Sequence, residues 1–151
     1  MSKSSSFVNV LVSAGVATAV TTGAALLVSR WQTGRAPAAL NATSHIVWGD
    51  KAATVDELDW AHTTLGGLLN AGAMAAWAAV AELLPRARTP LAALAKGTLV
   101  SALAYVTDYY VVPKRLTPGF EKRLSARGLG IMYGALAGGL GLGECLAARR
   151  V

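Results

Sequence analysis

The chain has 151 residues, of which 54% are hydrophobic and only 15% are charged, and its mean hydropathy is +0.45. A soluble domain carries about 25% charged residues, so this composition argues against a soluble protein and favours a membrane protein. The net charge of +6 does not indicate a nucleic-acid partner, because the basic residues cluster at the ends of apolar runs, where they meet lipid headgroups.

The first apolar segment covers residues 7–28 and contains no charged side chain. A helix of this length crosses the hydrocarbon core of a bilayer. A cleaved signal peptide is the alternative, since Lys3 precedes the segment and small residues lie within it. The apolar region is too long for that, and Arg30 with Trp31 follows it as at a membrane boundary. We therefore expect a transmembrane helix.

Three further apolar segments follow, separated by two structured loops at residues 29–62 and 113–128 and by a tight turn. The second segment covers residues 63–84 and ends at Pro85, which cannot continue a helix. The third covers residues 90–112. It begins at Pro90, which suits a first helical position, and ends among interfacial tyrosines. The fourth covers residues 129–148.

The predicted fold is all-α, a polytopic membrane protein whose four transmembrane helices form a bundle in a single domain, residues 1–151. A soluble four-helix bundle is the competing architecture. It would need a polar stripe on every helix, and the first and fourth segments have none.

Four spans place both termini on one side of the membrane and the two structured loops on the other. Basic residues favour the cytoplasmic side. The loop side carries Arg30, Arg35, Lys51, Lys114, Arg115, Lys122, Arg123 and Arg127. The terminal side carries fewer: Lys3, Arg86, Arg88, Lys96, Arg149 and Arg150. We expect cytoplasmic loops in the inner membrane of a bacterium.

The fourth segment contains rows of glycine spaced four residues apart, a spacing that lets helix backbones approach closely in lipid. The predicted packing residues are Gly130, Gly134, Gly138, Gly139 and Gly143. Cys145, the single cysteine, lies in the same segment. It allows no intrachain disulfide and is interpreted as a small packing residue.

Asp108 lies a few residues inside the end of the third segment, where an unpaired carboxylate is costly. We expect a structural cluster in which Lys114 or Arg115 folds back onto Asp108 while Glu121 holds another base of the same loop. A proton or ion site is the functional alternative.

Histidine and carboxylate ligands would suit zinc, iron or manganese. The candidate ligands are His45, Asp50, His62, Asp108 and Glu121. Haem is disfavoured because the histidines do not lie on facing helices, and no cofactor is predicted.

A second cluster is expected at the opposite membrane boundary, where Glu82, Lys96 and Glu144 lie at similar depth. The prediction is that Lys96 lies between the two carboxylates. The alternative is that each side chain reaches the interface on its own.

Two further polar rows lie on helix faces. One contains Thr98, Ser101, Tyr105 and Asp108, and the other contains His62, Gly66, Asn70 and Trp77. We expect these two faces to meet, with Asn70 and Tyr105 at similar depth.

Several polar stretches of the chain are similar to those of one protein family. They are residues 41–45 (NATSH), 48–50 (WGD) and 62–63 (HT), then Trp77, Glu82, residues 108–109 (DY), Pro113 and residues 115–121 (RLTPGFE). With these, the chain resembles a family of small four-helix bacterial inner-membrane proteins with no assigned activity. That family has a further histidine near the position of Asn70. The resemblance implies a four-helix membrane fold and no chemistry.

The function that we expect is that of a structural or accessory subunit of a membrane complex, self-associating or bound to another membrane protein. The alternative is a small ion or metal permease that uses the His45, His62 and Asp108 side. No Ser-His-Asp or Cys-His order is present, so nothing in the sequence supports an enzyme.

Overall fold

The computed structural model describes residues 3–149, and within them it is helical without a strand. The long helices are α1 (Lys3–Thr33), α4 (Leu65–Leu83), α5 (Pro90–Val106) and α6 (Ala126–Ala148), and the two short ones are α2 (Ala38–Thr43) and α3 (His45–Trp48). Four helical stretches are long and apolar enough to cross a membrane: Ser6–Thr33, Trp60–Leu83, Pro90–Val111 and Ala126–Ala148. The predicted all-α fold with four candidate spans is confirmed.

Three of the spans extend beyond the predicted segments, and local chemistry explains the extensions of the first and the fourth. Helix α1 continues to Thr33 and is closed by Gly34, whose φ of +75° favours glycine and whose N–H bonds to the Arg30 carbonyl. Helix α6 begins at Ala126, because Ser125 caps it. The Ser125 hydroxyl accepts from the Gly128 N–H at 3.3 Å.

Single turns of other helix types fill the loops and extend two of the spans. π-helical turns at Trp60–Thr64 and Thr107–Val111 adjoin α4 and α5, and 3₁₀ turns cover Asp50–Thr54, Lys114–Leu116 and Phe120–Lys122. The two loops that were predicted to be structured are therefore made of short helical pieces.

Internal contacts divide the chain into two compact units. The first, here called the span unit, comprises Met1–Thr21, Ala71–Ala104 and Tyr133–Val151. The second, the loop unit, comprises Thr22–Asn70 and Tyr105–Met132.

In the span unit, all four long helices contribute to one core of small and aliphatic side chains. Its buried members are Ala14, Ala17, Met74, Ala78, Ala81, Val100, Ala104, Leu136 and Leu140. A Cβ atom on Gly143 would lie 2.6 Å from the Ser13 Cα atom. Glycine is therefore required where α6 approaches α1, since small residues are what permit close backbone contact in lipid.

In the loop unit, helix α2 is buried along its whole length. Gly66 of α4 lies so close that a Cβ atom would overlap the Leu40 carbonyl group. Gly119 has a φ of +83°, and a Cβ atom there would lie 2.5 Å from the Ala42 carbonyl oxygen. Glycine at these two positions lets the backbones of α4 and of the second loop lie directly against α2.

Candidate functional site

The first candidate site lies in the loop unit and centres on His45, which is 1% exposed. Its Nε2 atom lies 2.9 Å from the Thr117 carbonyl oxygen. Because a carbonyl only accepts, Nε2 must carry the hydrogen. The other ring nitrogen, Nδ1, lies 3.7 Å from Asp50 Oδ1. His45 thus joins the first loop to the second.

Asp50 is exposed and forms a second link between the loops through Lys122, whose Nζ atom lies 2.9 Å away. The hydrogen bond and positive charge of Lys122 lower the pKa of Asp50, with smaller contributions from the nearby His45 and Arg115. Asp50 is accordingly held as a carboxylate.

The guanidinium of Arg115 provides a third link. Its Nε atom donates to the Ile46 carbonyl at 3.2 Å, and Nη2 donates to the Val47 carbonyl at 3.3 Å. Arg115 therefore folds back over the first loop. Asp108 is half-buried in the π-helical turn after α5, and its pairing with Arg115 or Lys114 stays a prediction.

Glu121 does not hold a base of its own loop among the described residues. Its Oε1 atom accepts from the Thr117 hydroxyl at 2.6 Å, and its buried Oε2 atom has no hydrogen-bond partner within residues 3–149. Instead, Arg123 is the loop base that pairs, with the Asp56 carboxylate and with the Ala53 carbonyl at 3.1 Å. The expected role of Glu121 is therefore corrected to that of a hydroxyl acceptor.

His62 does not share a hydrogen-bond partner with His45. Its Nδ1 atom donates to the carboxylate of Asp59, which also caps the π-helical turn by accepting from the Ala61 N–H at 3.0 Å. These bonds, that of His62 first, lower the pKa of Asp59. The role of His62 here is to stabilise the start of a span.

The five candidate metal ligands do not form one site. Across residues 3–149, no three His, Cys, Asp or Glu side chains are grouped so that they could hold a metal ion. His45 is bonded to Thr117, and His62 is bonded to Asp59. The metal hypothesis drawn from the sequence is corrected accordingly.

Asn41 of α2 has a structural role that the sequence did not predict. Its buried side chain donates to the carbonyls of Val55 and Glu57, both at 2.9 Å, and accepts from the Thr63 hydroxyl at 2.6 Å. One amide thus ties the extended stretch before α4 to α2. An asparagine between Leu40 and Ala42 in an apolar run is the available signal, but sequence alone gives no partner.

The second candidate site lies in the span unit, around Lys96 and Glu144. Their Nζ and Oε1 atoms are 2.9 Å apart, and the side chains are 11% and 13% exposed. Glu144 Oε1 also accepts from the Ala87 N–H at 2.7 Å. Glu82 lines the same cavity, where it accepts from the Asn9 amide at 3.2 Å. Lys96 is therefore paired with one of the two predicted carboxylates.

The cavity between these side chains measures about 10 Å³, which is room for about one water molecule. Its polar lining combines two acids with two bases: Asn9, Ser13, Glu82, Arg86, Lys96 and Glu144. The opposite charges offset one another, so the chemistry of the site is that of a buried ion-pair network.

The polar rows on the spans bond to neighbouring helices. The Ser101 hydroxyl donates to the Tyr133 carbonyl at 2.6 Å, and the Asn70 amide donates to the Thr22 hydroxyl at 3.2 Å. The Tyr105 ring contacts the Tyr109 ring, with centroids 5.2 Å apart. The expected contact between the Asn70 and Tyr105 faces stays a prediction.

The glycines of α6 divide into two groups. A Cβ atom on Gly139 would lie 2.8 Å from Ala17, and Gly143 packs equally closely on Ser13. A Cβ atom on Gly130, Gly134 or Gly138 would meet no described atom within 4 Å. For these three, the expectation of close packing is corrected within the single chain, because α6 is rotated so that the other row faces α1.

No protein-family model, curated protein or solved structure matches the chain.

Proposed function

We propose that this protein is a structural or accessory subunit of a membrane complex in the inner membrane of a bacterium, with its two structured loops on the cytoplasmic side. The resemblance in the loop sequences and the larger number of basic residues on the loop side support this location. In this proposal the protein is embedded in the lipid bilayer. Its protein partner is a second copy of the chain or another membrane protein.

The observation that carries the proposal is that the polar groups near one end of the spans bond to other residues of the span unit rather than lining an open path. Lys96 pairs with Glu144 beside a cavity that holds about one water molecule, and Asn9 bonds to Glu82. A network of this kind fixes helices in place. The permease hypothesis required ligands at His45 and His62, and the imidazole of each is bonded to another residue of the loop unit.

The lateral partner that we propose is a second copy of the chain, docked along the row of Gly130, Gly134 and Gly138. These glycines lie at the spacing that permits close helix approach, and a Cβ atom on any of them would meet no described atom within 4 Å. Packing against an identical row would bury backbone that is otherwise exposed to lipid.

Disulfide cross-linking in membranes tests this pairing. In a Cys145→Ser background, Gly134→Cys places one thiol on the glycine row. Leu99→Cys places one on α5, where the leucine is 61% exposed. We expect oxidation to give a covalent dimer of the Gly134→Cys protein only. Equal cross-linking of both variants, or of neither, would contradict self-association through this row.

A flux assay in proteoliposomes separates the subunit from the permease. We expect purified protein to carry no proton or divalent-cation flux above that of empty liposomes. Flux that is lost on His45→Gln or Asp108→Asn would reject the structural role and establish the permease.

A further inference from the structure

A cleft in the loop unit lies where two spans end, and none of the groups discussed so far accounts for it. Its volume is about 530 Å³, and it is lined by Trp31, Gln32, Arg123, Ser125 and Arg127. The span of α1 ends at Thr33 and that of α6 begins at Ala126. With these helices across a bilayer, the cleft would lie at the depth of the lipid headgroups.

The lining is positively charged. It contains two arginines and no carboxylate. Arg123 is offset by Asp56, which lies outside the lining. Arg127 is exposed, and no carboxylate of residues 3–149 forms an ion pair with it. A cleft with one uncompensated guanidinium favours an anion.

The uncompensated guanidinium is also held in position. Its Cζ atom lies 5.4 Å from the centroid of the Trp31 ring, which is within the range of a cation–π contact. Trp31 itself belongs to the residue type that prefers the boundary of the membrane. Arg127 is thus oriented before a ligand arrives, which reduces the entropy lost on binding.

Further donors surround it. The Ser125 hydroxyl accepts from Gly128, which leaves its own hydrogen to donate. Gln32 uses Oε1 to accept from the Ser125 N–H at 2.8 Å, so its amide nitrogen remains a donor. These donors, together with the guanidinium fork of Arg127, match the oxygens of a phosphate.

We infer that this cleft binds the phosphate of an anionic phospholipid, with Arg127 as its main charged contact. The cleft is open and lies where two spans end, so the headgroup of a surrounding lipid can reach it. An anionic headgroup is favoured over a zwitterionic one, because a zwitterionic headgroup would bring an ammonium group to a cleft that already carries excess positive charge.

The test measures the melting temperature of the full-length protein in neutral detergent during titration with phosphatidylglycerol, phosphatidylcholine or inorganic phosphate. We expect phosphatidylglycerol to raise the melting temperature and phosphatidylcholine to do so weakly. Arg127→Gln should weaken the apparent affinity for phosphatidylglycerol about tenfold, since one charge-assisted contact is removed. The melting temperature of Arg127→Gln without lipid shows whether that variant is folded.

Arg30→Gln is the matched control, because Arg30 is an exposed arginine at the same membrane boundary that does not line the cleft. It should retain the response to phosphatidylglycerol. An equal loss in both variants, or a loss in neither, would overturn the site. An equal, Arg127-dependent response to inorganic phosphate would overturn its assignment to lipid and make it a site for free phosphate.

Discussion

The Lys96 ammonium and the Glu144 carboxylate are 2.9 Å apart inside the span unit, and both side chains are nearly buried. Glu144 is further fixed by the Ala87 N–H of the turn before α5. The ion pair joins α5 to α6, and the Ala87 bond holds the turn between α4 and α5 against the end of α6. A charge is stable at this depth only because its partner is present.

Removing that partner should destabilise the protein. Lys96→Met leaves the Glu144 carboxylate without its counter-charge, and we expect a loss of about 3 kcal/mol in the free energy of unfolding in detergent. Lys96→Met with Glu144→Gln should lose less, because glutamine still accepts from the Ala87 N–H and carries no charge. Urea or thermal unfolding of both variants checks this. A double variant as unstable as the single one would show that the pair is not the source of the loss.

The two glycine rows of α6 should respond differently to the same substitution. Gly143→Ala forces a Cβ atom to within 2.6 Å of Ser13, so we expect a loss of about 1–3 kcal/mol from overpacking. Gly134→Ala is the matched control on the same helix. Its Cβ atom meets nothing within 4 Å, and alanine favours helix by up to about 1 kcal/mol. If both variants melt alike in monomeric form, the rotation of α6 described here is wrong.

The contact between Gly119 and α2 can be separated from backbone strain. Gly119→Ala adds strain at a φ of +83° and a clash with Ala42, whereas Gly34→Ala adds strain at a φ of +75° with nothing within 4 Å. We expect Gly119→Ala to lower the melting temperature clearly more than Gly34→Ala does. Hydrogen exchange should then rise in both loops. Equal shifts would mean that the loops are not packed at Ala42.

The Asp50–Lys122 pair predicts a pH dependence. Because Lys122 lowers the pKa of Asp50 in the folded state, the pair stabilises the loops above the ordinary carboxyl pKa. That contribution is lost as the pH falls through the lowered value. Lys122→Gln should raise the pKa of Asp50 towards its ordinary value in a carboxyl NMR titration. Lys51→Gln removes the charge of the residue next to Asp50 in the sequence, and it should change the pKa of Asp50 less.

Four spans predict that the two chain ends share one side of the membrane. Positions 2 and 151 lie outside the described residues, so labelling is the way to place them. In a Cys145→Ser background, Ser2→Cys and Val151→Cys should react with an impermeant maleimide from the same side, and Lys51→Cys from the other. Labelling of Ser2→Cys and Val151→Cys from opposite sides would reject four spans.

The sequence by itself determined the helices and most of their ends. Residues 63–84 and 90–112 predict spans that the structure places at Trp60–Leu83 and Pro90–Val111. Helix formation in an apolar run depends on local backbone bonds, and Pro85 and Gly34 act within one turn, so these features can be read from neighbouring residues.

Only the tertiary structure decided which partners the polar and small residues have. Glu82 and Glu144 are equivalent candidates for Lys96 in sequence, but the pairing with Glu144 depends on how α6 and the turn at Ala87 are placed. In the same way, both glycine rows of α6 have the spacing for close packing, and the rotation of the helix about its own axis selects Gly139 and Gly143. Helix rotation and depth are set by the summed packing of all neighbours, and no stretch of local sequence encodes that sum.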